Sequence, residues 1–119
     1  MISTDKNQSY TKFGQELAYQ EILSKLKSDR AQLIDIREKS EWNHSHFACA
    51  EHIPLSDLNQ GIGIDRLKEL KERKKIYLHC RSGSRVKAAE LLLGKYGCTE
   101  FTILPDSMFY LMQKGFTLL

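Results

Sequence analysis

The chain has 119 residues, 41% of them apolar and 28% charged, with a net charge of +3. That is enough for one domain with a core of its own, and too mild a charge to require nucleic acid as a partner. Its three cysteines form no C-x-x-C pair and no dense framework, which speaks against zinc-knuckle, thioredoxin-type and disulfide-scaffold chemistries.

Residues 1–12 are polar, lack an apolar signal core and read as a flexible lead-in to a domain over 13–119. No apolar run reaches membrane-spanning length, so neither a membrane nor secretion is expected, and the predicted location is cytoplasmic. From Gln15 a helical pattern sets Leu17, Ala18, Ile22, Leu23 and Leu26 on one face. Gln32–Ile36 is short, apolar and partly β-branched, as buried strands are. Glu38–His44 suits a turn or two of helix with Trp42 inward. Ala50–Pro54 reads as a strand stopped by proline. A connection through Leu55, Leu58, Gly61 and Gly63 leads to an amphipathic helix over Ile64–Arg73. The basic run Lys68–Lys75, interrupted by Glu69 and Glu72, reads as a solvated helix face. Lys75–His79 is a strand and Ser84–Tyr96 a helix with Gly97 as its cap. Phe101–Leu104 is a last strand and Met108–Lys114 a last helix. Strands that alternate with helices predict an α/β fold with a parallel sheet covered on both faces. Ligands of such sheets bind at the carboxyl ends of strands, where Cys80, Asp35 and Arg37 stand.

The segment Cys80-Arg81-Ser82-Gly83-Ser84-Arg85 holds the most chemistry. A strand, a compact loop and a helix follow one another at a single thiol, so backbone N–H groups and a helix N-terminus converge on sulfur. Such a thiol is expected to ionise readily and act as a nucleophile. Gly83 allows positive φ, Ser84 suits the helix N-cap, and Arg81 and Arg85 can hold an anion. Phosphate-transferring cysteine enzymes place five residues between Cys and Arg. Here there are four, which disfavours phosphatase or arsenate reductase chemistry and suits a nest for one extra sulfur atom.

Other candidates carry less. Asp35 and Arg37 are expected to support the loop, with Arg37–Glu41 as one framework pair. Strand alternation sends the His79 side chain away from Cys80. His44, His46 and His52 fall on different elements, so no metal site is expected. Cys49 and Cys98 read as packing cysteines, with Cys49 as a remote candidate for a resolving thiol. Trp42, Phe47, Phe101, Phe109 and Phe116 read as core or rim residues.

Three segments in order resemble the rhodanese-like, single-domain sulfurtransferase family. Leu33–Arg37 followed by Glu41-Trp42 is similar to its "IDVR…E-aromatic" segment, Ser45–Pro54 to a degenerate "GHIPGAINIP", and Cys80–Arg85 to its active-site loop. The resemblance covers about residues 15–119. It implies a central five-stranded parallel sheet with helices on both faces. It also implies sulfur transfer through a persulfide on Cys80, from thiosulfate or a similar small anionic donor to a thiol or cyanide, with no cofactor. Arg81, Ser82, Gly83, Ser84 and Arg85 would bind substrate, and a sulfur-relay protein is a further candidate partner. The chain departs from the pattern at Ser45, at Ala48-Cys49 and at Asp106-Ser107, where glycines or proline-glycine are usual. An inward Asp106 would oppose thiolate formation, and a rhodanese-fold binding module with little turnover is the alternative reading.

Overall fold

The computed structural model describes residues 12–119, with side chains from residue 18 onward. The expected lead-in over 1–12 lies outside the described residues, apart from Lys12, which opens the first helix. The elements in chain order are α1 (Lys12–Lys27), β1 (Ala31–Asp35), α2 (Lys39–His44), β2 (Ala50–His52), α3 (Leu55–Asn59), α4 (Ile64–Lys71), β3 (Lys75–His79), α5 (Ser84–Lys95), β4 (Phe101–Ile103) and α6 (Met108–Gln113). The four strands form one parallel sheet in the order β2-β1-β3-β4.

Five strands are thus not found among the described residues, and four are, the number that the hydrophobic runs themselves mark out. Beyond α6 the chain makes only an isolated antiparallel bridge, Phe47 to Leu118. Two backbone bonds flank it, Ala48 N–H to the Thr117 carbonyl and Leu119 N–H to the His46 carbonyl, each 2.8 Å. One bridged pair is too short to form a strand.

The inner strands β1 and β3 are buried on both faces, as continuous apolar runs in parallel sheets are. One face carries α3, α4 and α5: Leu58, Leu67, Leu70, Val86, Ala89 and Leu93 pack on Ile34, Ile36, Ile76 and Leu78. The other carries α1 and α6, with Tyr19, Ile22, Leu111 and Phe116 packed around Leu33, Phe47 and Tyr77. Burying these groups supplies the main drive for folding. The basic run ends in surface pairs, Lys71–Glu100 and Lys74–Asp29. The strand order places β2 on one side of β1 and β3 on the other. The connections leaving β1 and β3 therefore diverge at their carboxyl ends and open a crevice between them.

Candidate active site

Cys80 follows the last residue of β3, level with Ile36 after β1, since Ile36 N–H bonds to the His79 carbonyl. Its thiol is fully buried, and the Gly83 N–H donates to Cys80 Sγ at 3.1 Å. Gly83 turns the loop with φ +101°, and it is Gly83, not Ser84, that occupies the N-cap of α5; Ser84 is the first helical residue. The reason is a close approach. A Cβ on Gly83 would lie 2.0 Å from the Pro105 carbonyl oxygen, so the loop can pass under the end of β4 only with glycine there. Arg81 is fastened to the same segment from the other side, its carbonyl accepting from Met108 N–H at 3.0 Å.

Asp106 does not point at the thiol. It accepts a hydrogen bond from the Tyr19 hydroxyl of α1, which turns its charge toward the opposite face of the sheet. Ser107 caps α6 by accepting from Tyr110 N–H at 3.1 Å. In place of the usual glycines this segment thus holds one side-chain hydrogen bond and one helix cap, and the close contact with the loop falls on Pro105.

The ion pairs differ from the expected Arg37–Glu41 pair. Asp35 and Arg37 bind each other: Arg37 Nε lies 3.1 and 3.0 Å from the two Asp35 oxygens and Nη2 lies 2.7 Å from Oδ2. Both are buried, and Arg37 Nη2 also donates to the Ser45 carbonyl at 2.7 Å, tying the exit of β1 to the end of α2. The signal was present in the spacing, since residues i and i+2 of an extended segment share a face. Glu41 instead grips Arg85 through two bonds of 2.6 and 2.9 Å. This fork-to-fork pair, with the backbone N–H of Glu38, holds the Glu41 carboxyl down to about 2, well below the usual carboxylate range. No sequence signal exposes a contact made across 44 residues.

His79 lies on the face opposite Cys80, against Phe47, with ring centroids 5.1 Å apart. Its Nδ1 lies 3.2 Å from the Cys80 carbonyl, and burial pushes its pKa down against the pull of Asp35. It forms no dyad with the thiol. Trp42 is half-buried rather than inward, and helix α2 buries no residue. Its indole stacks on His46 (3.6 Å) and His52 (4.8 Å). Their other contacts are to carbonyls, His46 Nδ1 to Trp42 at 2.8 Å and His52 Nε2 to Arg37 at 2.7 Å.

Cys98 is buried in the core, as expected, and burial pushes its thiol up. Cys49 is exposed, not packed. It precedes β2 level with Gln32, four residues down the sheet from the level of Cys80. At the rise of a strand that is ~13 Å, beyond the reach of a disulfide, so Cys49 is no resolving thiol for Cys80 in this fold.

Above the loop lies an open cleft of about 740 Å³. Arg37, Glu41, Arg81, Ser82 and Ser107 line it together with the apolar Met108, Phe109, Met112 and Leu118. Phe109 is 70% exposed and Met112 42%.

A parallel α/β sheet with a cysteine loop at its topological switch point defines a class, and comparison identifies the family within it. Residues 18–114 match the Rhodanese-like domain, and the chain belongs to that family. It is 42% identical over 71 residues to the uncharacterized protein YqhL of Bacillus subtilis, covering 60% of this chain and 52% of YqhL. It is 31% identical over 83 residues to YrkF of the same organism, a candidate sulfur carrier protein, covering 69% of this chain and 42% of YrkF. The chain thus spans about half the length of these curated relatives. Among solved structures, the human single-domain sulfurtransferase TSTD1 superposes with a TM-score of 0.62 at 24% identity, over 80% of this chain and 92% of that one. That likeness concerns the fold. Among the described residues no helix is long and apolar enough to cross a membrane.

Proposed function

We propose that this protein is a sulfurtransferase that carries sulfane sulfur as a persulfide on Cys80. The observation that carries the reading is the thiol at the sheet's switch point, held by the Gly83 N–H inside a loop of four residues between Cys80 and Arg85, with Arg81 at the mouth. In the first step the Cys80 thiolate attacks the outer sulfur of thiosulfate or a similar donor; the S–S bond breaks and sulfite leaves with the electron pair. In the second, a thiol or cyanide attacks the outer sulfur of the persulfide and releases the Cys80 thiolate. One displacement becomes two easier ones. Arg81, Ser82, Gly83, Ser84 and Arg85 form the cradle. Asp35 and Arg37 support it, because their buried pair fixes the backbone on the other lip of the crevice. The three free cysteines suit a reducing compartment such as the cytoplasm. The likeness to a candidate sulfur carrier supports a relay protein as donor or acceptor.

Incubation with thiosulfate followed by intact-mass measurement tests this. The expected result is a gain of one sulfur atom that disappears in Cys80→Ser; no gain would refute it. A second reading, a binding module with little turnover, is favoured by the full burial of Cys80 and the engagement of Arg85 by Glu41. Partner binding that persists in Cys80→Ser, without sulfur loading in the parent chain, would support it.

A further inference from the structure

At the end of β3 the backbone carbonyls turn alternately to the two neighbouring strands. The Leu78 carbonyl accepts from Leu104 N–H at 2.8 Å on the β4 side, and the His79 carbonyl from Ile36 N–H at 3.1 Å on the β1 side. The Cys80 carbonyl comes next, on the β4 side, where the donor would be Asp106, two residues beyond Leu104. β4 ends at Ile103, however, and among the described residues no backbone N–H reaches the Cys80 carbonyl. The His79 ring takes that place. Its Nδ1 lies 3.2 Å from the Cys80 carbonyl oxygen, and a carbonyl only accepts, so Nδ1 carries the proton. The ring is fully buried, and burial holds it neutral. With its one proton on Nδ1, the ring has a bare lone pair at Nε2. The surroundings agree: among the described residues Nε2 is the one buried side-chain nitrogen or oxygen without a hydrogen-bond partner. The Asp35 carboxylate stands 3.6 Å from it and is engaged by Arg37 instead.

We propose that His79 is a positioning residue for sulfur transfer at Cys80: its Nδ1–H fixes the Cys80 carbonyl, and through it the course of the loop that brings the Gly83 N–H to the sulfur. The inference deepens the persulfide-carrier reading above and rests on it. The direction of a residue's carbonyl fixes its ψ, and ψ at Cys80 decides where residues 81–83 lie relative to the Cys80 side chain. The next carbonyl along, that of Arg81, is held by Met108 N–H at 3.0 Å. With both carbonyls fixed, the Gly83 N–H stands 3.1 Å from Sγ before any reaction begins. A donor already in place for the thiolate costs no reorganisation at the moment of attack. His79 acts through the backbone alone, because its side chain packs against Phe47 on the other face of the sheet.

Two measurements test this. In the parent chain, nitrogen NMR of labelled histidine reads the tautomer directly, whether or not the protein transfers sulfur. The expected His79 signals near neutral pH are a protonated Nδ1 and a bare Nε2. A proton on Nε2 instead would overturn the proposal. The second measurement is the steady rate of sulfur loading on Cys80 from thiosulfate in three variants. The amide nitrogen of asparagine falls near the place of Nδ1, and that of glutamine near the place of Nε2. His79→Asn should therefore keep kcat within about twofold of the parent, whereas His79→Gln and His79→Leu should lower it on the order of fivefold, the worth of one hydrogen bond, with KM within about twofold throughout. If His79 merely fills space beneath Phe47, the larger glutamine and leucine serve better than asparagine. That order of rates, or loading by His79→Leu at the parent rate, would overturn the proposal. A parent chain with the proton on Nδ1 that takes up no sulfur has a different meaning: the sulfurtransferase reading itself then falls, and the role of His79 in transfer with it.

Discussion

Replacing Gly83 by alanine puts the close approach of the active loop to β4 under direct test. Two costs add. The residue sits at φ +101°, where an L side chain costs about 1–2 kcal/mol. The new Cβ would also lie 2.0 Å from the Pro105 oxygen, a backbone atom that cannot swing aside as a side chain does. Relieving such overlap by backbone shifts costs about 1–3 kcal/mol, so the expected loss is about 2–5 kcal/mol. For a domain of this size that lowers Tm on the order of 10 °C. Urea denaturation at constant m-value and calorimetry both read it. Gly94→Ala is the matched control: it lies in α5 with nothing within 4 Å of a built Cβ, and alanine there should stabilise by about 0.5–1 kcal/mol. If Gly83→Ala unfolds within ~0.5 kcal/mol of the parent chain, the loop does not pass beneath Pro105 as described.

Three further outcomes are expected. Arg37→Ala leaves Asp35 buried without its partner and should cost about 3–5 kcal/mol in urea unfolding; a loss below ~1 kcal/mol would show that the pair is not buried in solution. Burial lowers the pKa of His79, so the folded state holds it neutral; the stability this contributes is complete above the unfolded value near 6.5 and is lost as pH falls below it. His79→Phe should therefore flatten the stability profile between about pH 7 and 5, whereas an unaltered slope would contradict the assignment. Under native conditions iodoacetamide should alkylate exposed Cys49 well before buried Cys98, and equal rates by mass spectrometry would deny the difference in burial.

Much of the fold is legible from local pattern because its strands are apolar runs and its helices are amphipathic. β3 has the predicted bounds, Lys75 and His79, around the apolar run Ile76–Leu78, and α5 stops one residue short of the predicted Tyr96, with Gly97 at φ +71° beyond it. Cys80 could be located as a strand-end thiol for the same reason. The errors fall where distant parts of the chain meet. Ser84 has the right chemistry for an N-cap, but the Pro105 carbonyl demands a residue without a side chain at Gly83, and the cap moves back by one. Asp106 could not be oriented without knowing that Tyr19 stands across from it. Glu41 looked available to Arg37 four residues before it, yet Asp35 already occupied that guanidinium, which left Glu41 for Arg85. Composition cannot rank such competing partners; only the closed sheet does.

The divergence of the chain at β1 and β3 also bears on how the site comes into being during folding. Glu41 and Arg85, 44 positions apart, meet only after the chain between them has been looped out and the two inner strands have paired. The entropy of closing that loop must be met before the pair contributes anything. A peptide limited to 75–95 would contain Cys80, Gly83 and the whole of α5, yet neither Glu41 nor Pro105 would be there to shape the loop around the thiol. Whatever reactivity Cys80 has in the native protein is thus a property of the assembled sheet, and loss of that specific reactivity would serve as a probe of β1–β3 separation.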